Sequence, residues 1–364
     1  MPRPSHAQNP EPKKIGKRLH MFHYILKRFL TLPLILFILS LLIFSLVMFL
    51  SPYERLAVYI PNMDVTSMSI SFDDLVERYE LDAPFYVQYA KWLKGILRGN
   101  LGWSPSARMP VSRALRRYFP ATIELMLLGG LIIFGGGLFL GTYTAVHHDR
   151  LPDQVARVGT IVGVSLPGFV FGLALLVIFY AWLDWFPPGR LSMWAEDVVY
   201  LSDFRQYTGM HTIDGLLNGR LDIVADALRH LLLPAIAYGI GMLSVMLRMV
   251  RSSMLETLQQ DYVTTARAKG LLEKVVVKKH ARRNALLPVV TLAGSIIARM
   301  IGGTVVVETV FNFRGMGQFM VTAARGLDFP AILGVSLLIG LIIILTNLVI
   351  DIMYTFLDPT VTLE

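Results

Sequence analysis

Six runs of this sequence, 29–52, 123–146, 158–183, 231–249, 286–311 and 329–354, are each long and apolar enough to cross a lipid bilayer as a helix, which takes about 20 residues. Only 16% of the side chains are charged, against about 25% in an ordinary soluble domain, and the mean hydropathy is +0.55. A length of 364 residues would by itself suggest two soluble domains. The apolar runs override that prior. The expected fold is all-α: a polytopic membrane bundle of six transmembrane helices spanning 26–361, behind a basic tail, 1–25, expected to be disordered.

The first run follows a basic region and so resembles a secretory signal. It is uncharged for 24 residues, where a signal's apolar core has roughly 7–15, and no A-x-A-like cleavage site follows. It is read as a retained first helix. There is no cysteine, which excludes a disulfide framework, a thiolate metal site and a cysteine nucleophile. The formal net charge of +8 would raise nucleic acid as a partner in a soluble chain. No groove-reading motif accompanies it, so the excess is assigned to cytoplasmic loops rather than to nucleic-acid binding.

Basic residues close to the spans set orientation, with the positive side in the cytoplasm. Arg3, Lys13, Lys14, Lys17, Arg18, Lys27 and Arg28 precede the first run and place the N-terminus inside. The segments 147–157, 250–285 and the C-terminal tail are then cytoplasmic, and 53–122, 184–230 and 312–328 lie outside. The segment 184–230 is acidic, as an outer loop tolerates. The segment 53–122 carries Lys91, Lys94, Arg98, Arg108, Arg113, Arg116 and Arg117 against that assignment, although long loops cross largely regardless of charge. Within it, 71–95 reads as a surface helix, and Trp92, Trp103, Tyr118 and Phe119 suit the lipid interface.

The most unusual polar stretch is DYVTTARAKGLLEKVVVKKHARRNALLP (261–288), which stands between two apolar runs. Residues 262–269 are helix-compatible, and Gly270 suits a helix stop because glycine takes the left-handed conformation without penalty. Leu271, Leu272, Val275 and Val276 then form an apolar stripe on a second short helix. Small residues on the first helix allow another protein to approach closely. Two readings stand: a docking element, or a solvated loop whose charge only obeys the positive-inside rule.

Motifs for other chemistry are absent. There is no phosphate-binding G-x-x-x-x-G-K-[ST], no H-E-x-x-H and no G-x-S-x-G. His147, His148 and Asp149 adjoin, but an ordinary surface loop is the better reading than a metal site. The chain itself is not expected to be an enzyme. Arg299 is a charge midway along an apolar run, where charges usually face the bundle interior or water. It is read as a candidate pathway residue. Glu308, nearer the outer end, is a candidate partner for an outer-loop cation or part of an outer gate. Gly137-x-x-x-Gly141, Gly168-x-x-x-Gly172 and Gly302-Gly303 permit close helix approach, with packing inside the chain favoured over a dimer motif. Pro167 and Pro234 lie inside apolar runs and can kink them.

The stretch DYVTTARAKGL…HARRNALLP resembles the cytoplasmic "EAA" loop of ABC-importer permeases in the dipeptide/oligopeptide/nickel group. The matches extend through LDAPFYVQYAKWLKGILRGNLGWS (81–104), PATIELMLLG (120–129), SLPGFVFGLALLVIF (165–179), HLLLPAIAYG (230–239), GGTVVVETVFNFRGMGQFMVTAARGLDFP (302–330) and NLVIDIMYTFLDPTV (347–361). The sequence departs from that pattern in lacking a PGDP-like turn in 50–64, in a longer segment 184–229 and in the basic tail. The resemblance implies a type I importer permease in the inner membrane of a prokaryote, with both termini cytoplasmic. It implies a coupling helix in which Asp261, Tyr262, Thr265, Ala266, Arg267, Ala268, Lys269 and Gly270 contact an ATPase. It also implies a homologous second permease, two ABC ATP-binding subunits and an external substrate-binding protein as partners. ATP and Mg would be held by those partners, with no cofactor in this chain. Di- and oligopeptides are the expected cargo, with nickel chelates and oligosaccharides as alternatives. From a different class, an ATPase-independent channel or secondary transporter would be expected to show inverted repeats, and none is evident.

Overall fold

The computed structural model describes residues 31, 33–46, 48–56 and 72–357. The basic tail 1–25 and most of the turn in 50–64 lie outside the described residues. Helix α1 (Pro33–Leu46) is followed after the gap by α2 (Phe72–Arg78) and α3 (Phe85–Leu97). A two-stranded antiparallel ribbon, β1 (Trp103–Ser104) and β2 (Met109–Pro110), leads into α4 (Val111–Val146). Then come α5 (Leu151–Ser165), α6 (Gly168–Trp182), α7 (Met193–Leu201), α8 (His211–Leu217), α9 (Leu221–Leu258) and α10 (Asp261–Ala268). Short helical pieces through 273–285 join α10 to α11 (Leu287–Val310), α12 (Met316–Arg325) and α13 (Phe329–Leu357).

Three of these, α4, α9 and α13, hold stretches long and apolar enough to cross a membrane unaided, and α5 with α6, and the two halves of α11, raise that to five if each bent pair is one span. Large apolar side chains remain uncovered along them: Phe139 is 69% exposed, Val158 62% and Ile161 63%. Isolated apolar side chains at a surface are ordinary, but a contiguous apolar surface calls for lipid or a partner chain. The molecule is therefore a polytopic membrane protein, and helical in almost all its regular structure.

Helix α9 is the axis. It packs against α4, α5, α6, α8 and α11, and its buried residues Leu231, Leu233, Ala235, Ala237, Met246 and Val250 form the spine of the main core. Glycine sets how closely α4 approaches it. A Cβ on Gly137 would stand 2.5 Å from Met246, and one on Gly141 would stand 2.7 Å from Val250. This glycine pair serves packing inside the chain, as favoured. A second core joins the start of α4 to α12 and α13 through Val111, Leu115, Phe319 and Val335, and a third joins α1, α3 and α13 through Phe44, Tyr89, Trp92 and Leu333.

Several boundaries move from their expected places. Helix α4 begins at Val111, a full 12 residues before the apolar run at 123, because its first turns bury Ala114 and Leu115 against α12 and α13 rather than lipid. Helix α9 extends beyond 231–249 at both ends for the same reason, with Ile223 and Ala227 packing on α7 and Met254 on the main core. The surface helix expected over 71–95 is two helices. Pro84, at φ −53° and ψ 148°, starts the second, since its ring cannot continue the first. Trp92 is buried at 7% exposure, tilted on Phe44, rather than placed at a lipid interface.

The two prolines behave differently. The run 158–183, expected as one helix, is divided: α5 and α6 meet at 109°. Leu166 is extended at φ −92° and ψ 131°, and Pro167 follows at ψ 135°, as steric conflict between a proline ring and the preceding residue favours. Pro234 sits inside the unbroken α9, fully surrounded, with Leu233 at 3% and Ala235 at 0% exposure.

Candidate functional site

Helix α9 has 38 residues, about 57 Å at a rise of 1.5 Å each. That is nearly twice a hydrocarbon core of about 30 Å. A polar structure sits at each end of this rod.

At its C-terminal end, Gln259 and Gln260 turn the chain into α10. Val263 and Ala266 face inward at 0% and 6% exposure, into the main core with Val276 and Ala281. This fixes α10 on the rod. Asp261, Tyr262, Thr265, Arg267, Ala268, Lys269 and Gly270 are all exposed. Ala266, expected among the contact residues, is 6% exposed and packs into the chain's own core, on the face it shares with Val263 three positions before it. Gly270 takes φ +76° and ends the helix, which a residue with a Cβ does only at a cost.

Arg267 does not stand free. Its Nη2 donates to Glu273 Oε1 at 2.7 Å and its Nε to Oε2 at 3.1 Å, a two-point clasp across the Gly270 turn. This hydrogen-bonded guanidinium holds the Glu273 carboxyl below its ordinary range. Leu271 and Leu272, just beyond the turn, are 40% and 76% exposed. They add an apolar edge to the exposed face. Asn284 Nδ2 donates to the Tyr262 hydroxyl at 2.9 Å, and Ser253 Oγ donates to Ala285 O at 2.6 Å, tying the short helices of 273–285 to α9 and α10. Nearby, Arg251 of α9 forks onto buried Asp153 of α5 at 2.5 and 2.9 Å.

At the N-terminal end of the rod, buried carboxylates organise the segment between α6 and α9. Glu124 of α4 accepts from Arg190 Nη2 at 2.8 Å, and from the Thr212 amide and hydroxyl at 2.7 Å each. Asp226 accepts from the Ser192 amide and hydroxyl at 2.8 and 2.6 Å. Asp214 accepts from Thr208 N and Oγ1 and from Gly209 N at 2.8 to 2.9 Å. Buried charge is tolerated where each oxygen is met by a donor, and these three acids are internal fasteners rather than solvated loop charge. His211 is buried beside Arg190. Burial, and then that positive charge, push its imidazole down to about 3.

Glu308 is wholly buried in α11, and its partners are neutral. The Thr122 hydroxyl donates to it at 2.7 Å and the Gln318 backbone N–H at 3.0 Å. The expected cation partner is thus replaced by donors that clamp α4 and the start of α12 onto α11. Gly315 and Gly317 make room for it: a Cβ on Gly315 would lie 2.6 Å from the carboxylate. Arg299 is exposed on α11 and has no hydrogen bond or ion pair among the described residues. It makes no hydrogen bond or ion pair with Glu308, whose partners include Thr122 and Gln318. His148, Asp149 and Asp153 bring potential ligand atoms within 4.8 Å of one another. Both oxygens of Asp153 accept from Arg251.

Two kinds of residue escaped the sequence reading. Glu124 stands at the edge of an apolar run, where an ionisable group calls for a named partner, but the partner is 66 positions away. Asp153 had a visible neighbour in Arg157, yet its strong partner is 98 positions away.

The description "binding-protein-dependent transport system inner membrane component" matches residues 137–363, and the N-terminal model of the same family matches 21–126. The chain belongs to this family. It is 39% identical over 289 residues to the di/tripeptide transport system permease protein DppB of Pseudomonas aeruginosa, covering 79% of this chain and 84% of that one. It is 36% identical over 288 residues to the dipeptide transport system permease protein DppB of Escherichia coli K12, and 33% identical over 288 residues to that of Alkalihalophilus pseudofirmus. The first of these covers 79% of this chain and 84% of its relative, and the second 79% and 85%. Members of this family are multi-pass proteins of the inner membrane, and this permease accordingly works with a binding protein and further subunits.

Proposed function

We propose that this chain is one of two homologous permease subunits of an ATP-driven importer and forms half of a translocation pathway for di- and oligopeptides. In this reading six segments cross the membrane: the apolar run that holds α1, α4, α5 with α6, α9, α11 and α13. Both termini and 250–285 face the cytoplasm, and two ATP-binding subunits dock there. The external binding protein delivers substrate at the opposite face. ATP and Mg belong to the ATP-binding subunits.

The observation that carries the reading is the joint between α9 and α10. A short helix with an exposed, small-residue face is fixed by Val263 and Ala266 to the end of an unbroken rod. Force applied to α10 is transmitted along α9 to the polar cluster at its far end. A partner shifts such an equilibrium only through contacts that differ between the two states. Movement of the ATP-binding subunits supplies that difference at α10, and the pathway alternates between outward- and inward-open. Peptide as cargo rests on the names of the relatives and on their extent of match.

The test is affinity capture of this chain from its native membrane, with mass spectrometry of its companions. A second permease and two nucleotide-binding subunits are expected. Recovery of the chain alone, stable and competent for transport, would overturn the reading in favour of an autonomous transporter.

A further inference from the structure

Beside the polar cluster at the N-terminal end of α9 lies a cavity of about 310 Å³, lined by Arg117, Tyr118, Arg190, Glu196, Tyr200, His211 and Arg314. Its volume falls at the small end of the range of ligand sites, about 300–1,000 Å³. The lining is drawn from α4, from the segment between α6 and α9, and from the turn after α11, so it exists only in the folded chain.

Its charges do not balance. Arg190 is neutralised by Glu124 at 2.8 Å, and Arg314 lies 3.8 Å from Glu196. Arg117 has no ion pair among the described residues. Three guanidiniums against two carboxylates leave one positive charge over. Two polar atoms in the wall are also unsatisfied: the Arg190 Nε donor and His211 Nδ1 are buried without a hydrogen-bond partner. The residue His211 is 2% exposed, and the Arg190 side chain 10%. Buried polar atoms without partners are uncommon and call for an explanation. Tyr118 is held in place by stacking on Phe319 at 4.7 Å, and Arg190 by Phe313 at 5.6 Å.

We propose that this cavity is a subsite for a single carboxylate, the free C-terminal carboxylate of a short peptide entering the pathway, with Arg117 and Arg314 as the principal ligands. A planar carboxylate meets guanidinium forks by paired hydrogen bonds, and one negative charge neutralises the excess. This rests on the peptide-import reading, and the test separates the two.

The chain, purified with its co-purifying subunits in lipid nanodiscs, is titrated calorimetrically with alanyl-alanine and with alanyl-alanine amide. The acid is expected to bind at least ten-fold more tightly than the amide. Arg117→Gln and Arg314→Gln are each expected to lower affinity for the acid at least five-fold and to leave the amide unchanged. Both side chains are exposed, so the variants are expected to fold. Equal binding of acid and amide, full acid affinity in the double variant, or no binding of either probe overturns the proposal. So does loss of external binding-protein capture in Arg117→Gln without any dipeptide binding by the parent, which assigns the cavity to a carboxylate of that protein. Peptide uptake by intact cells is followed in parallel. Undiminished uptake by the double variant overturns the subsite and leaves peptide import standing. Absence of uptake by the parent removes the import reading, while the acid-to-amide ratio still decides the cavity.

Discussion

At the N-terminal end of α9, three buried carboxylates are each met by donors from their own chain, whereas at the C-terminal end α10 presents six exposed residues outward and commits only Val263 and Ala266 to the core. Both regions are polar segments flanking the same rod. One is wired to itself and the other is left open. Polar side chains that are buried and paired fix a geometry, because removing one partner leaves the other uncompensated. Polar side chains that are exposed around an anchored small helix fix little inside the chain and are free to meet another protein. The comparison separates scaffold from docking surface where composition makes them look alike.

The strongest way to break that comparison is to disturb the open end. Gly270→Pro cannot adopt φ +76°, and Lys269→Glu reverses an exposed charge. Both are expected to reduce peptide uptake at least ten-fold while the abundance of the chain in the membrane stays unchanged. Normal uptake with the ATP-binding subunits still attached would show that α10 carries no force. The self-wired end is expected to respond in the opposite way. Arg190→Leu strands Glu124 and should destabilise the chain by about 3 to 5 kcal/mol, read as a lowered thermal midpoint in nanodiscs. Arg190→Leu combined with Glu124→Leu should recover most of that loss, since a well-packed apolar pair often replaces a buried ion pair at little cost.

A smaller effect is expected from pH. His211 stays neutral in the folded chain down to about 3, while the unfolded chain protonates it near 6.5. Between those values the unfolded state binds more protons, so stability falls as pH drops through the window and is flat above it. Arg190 and the edge of the Tyr200 ring, 6.3 Å away, face the imidazole. In His211→Gln the decline in thermal midpoint between pH 7 and pH 5 should be shallower than in the parent. The smallest effect belongs to the clasp at the open end. Arg267 and Glu273 are 42% and 53% exposed, and an exposed pair contributes below about 1 kcal/mol. Arg267→Ala should leave the thermal midpoint nearly unmoved, and a large drop would place that pair with the scaffold.

Pro167 and Pro234 show where reading along the chain stops. Each stands in an apolar run and each removes a backbone donor. The first divides its run at 109°, where helix α5 leaves Val158 and Ile161 exposed. The second lies in a helix packed on several sides, and that helix continues through it. Locally, Pro167 is followed by Gly168, a turn-prone pair, and Pro234 by the helix former Ala235, and the packing around Pro234 then holds its helix together despite the missing hydrogen bond. The same limit applied to Ala266. Its helical position was legible, but which way that face turned depended on Val276 and Ala281 arriving from the next segment.

What the sequence determined by itself was what depends on near neighbours: apolar runs of spanning length, a helix over 262–269, one residue out of register with the observed one, and its glycine stop. Those follow from side-chain character and backbone preference within a few residues. The tertiary structure alone decided which charges meet. Glu124 finds Arg190, Asp153 finds Arg251 and Glu308 finds Thr122 across 66, 98 and 186 positions. Such pairings are set by which helices lie side by side around α9, since a buried charge takes whichever donor the packing brings to it.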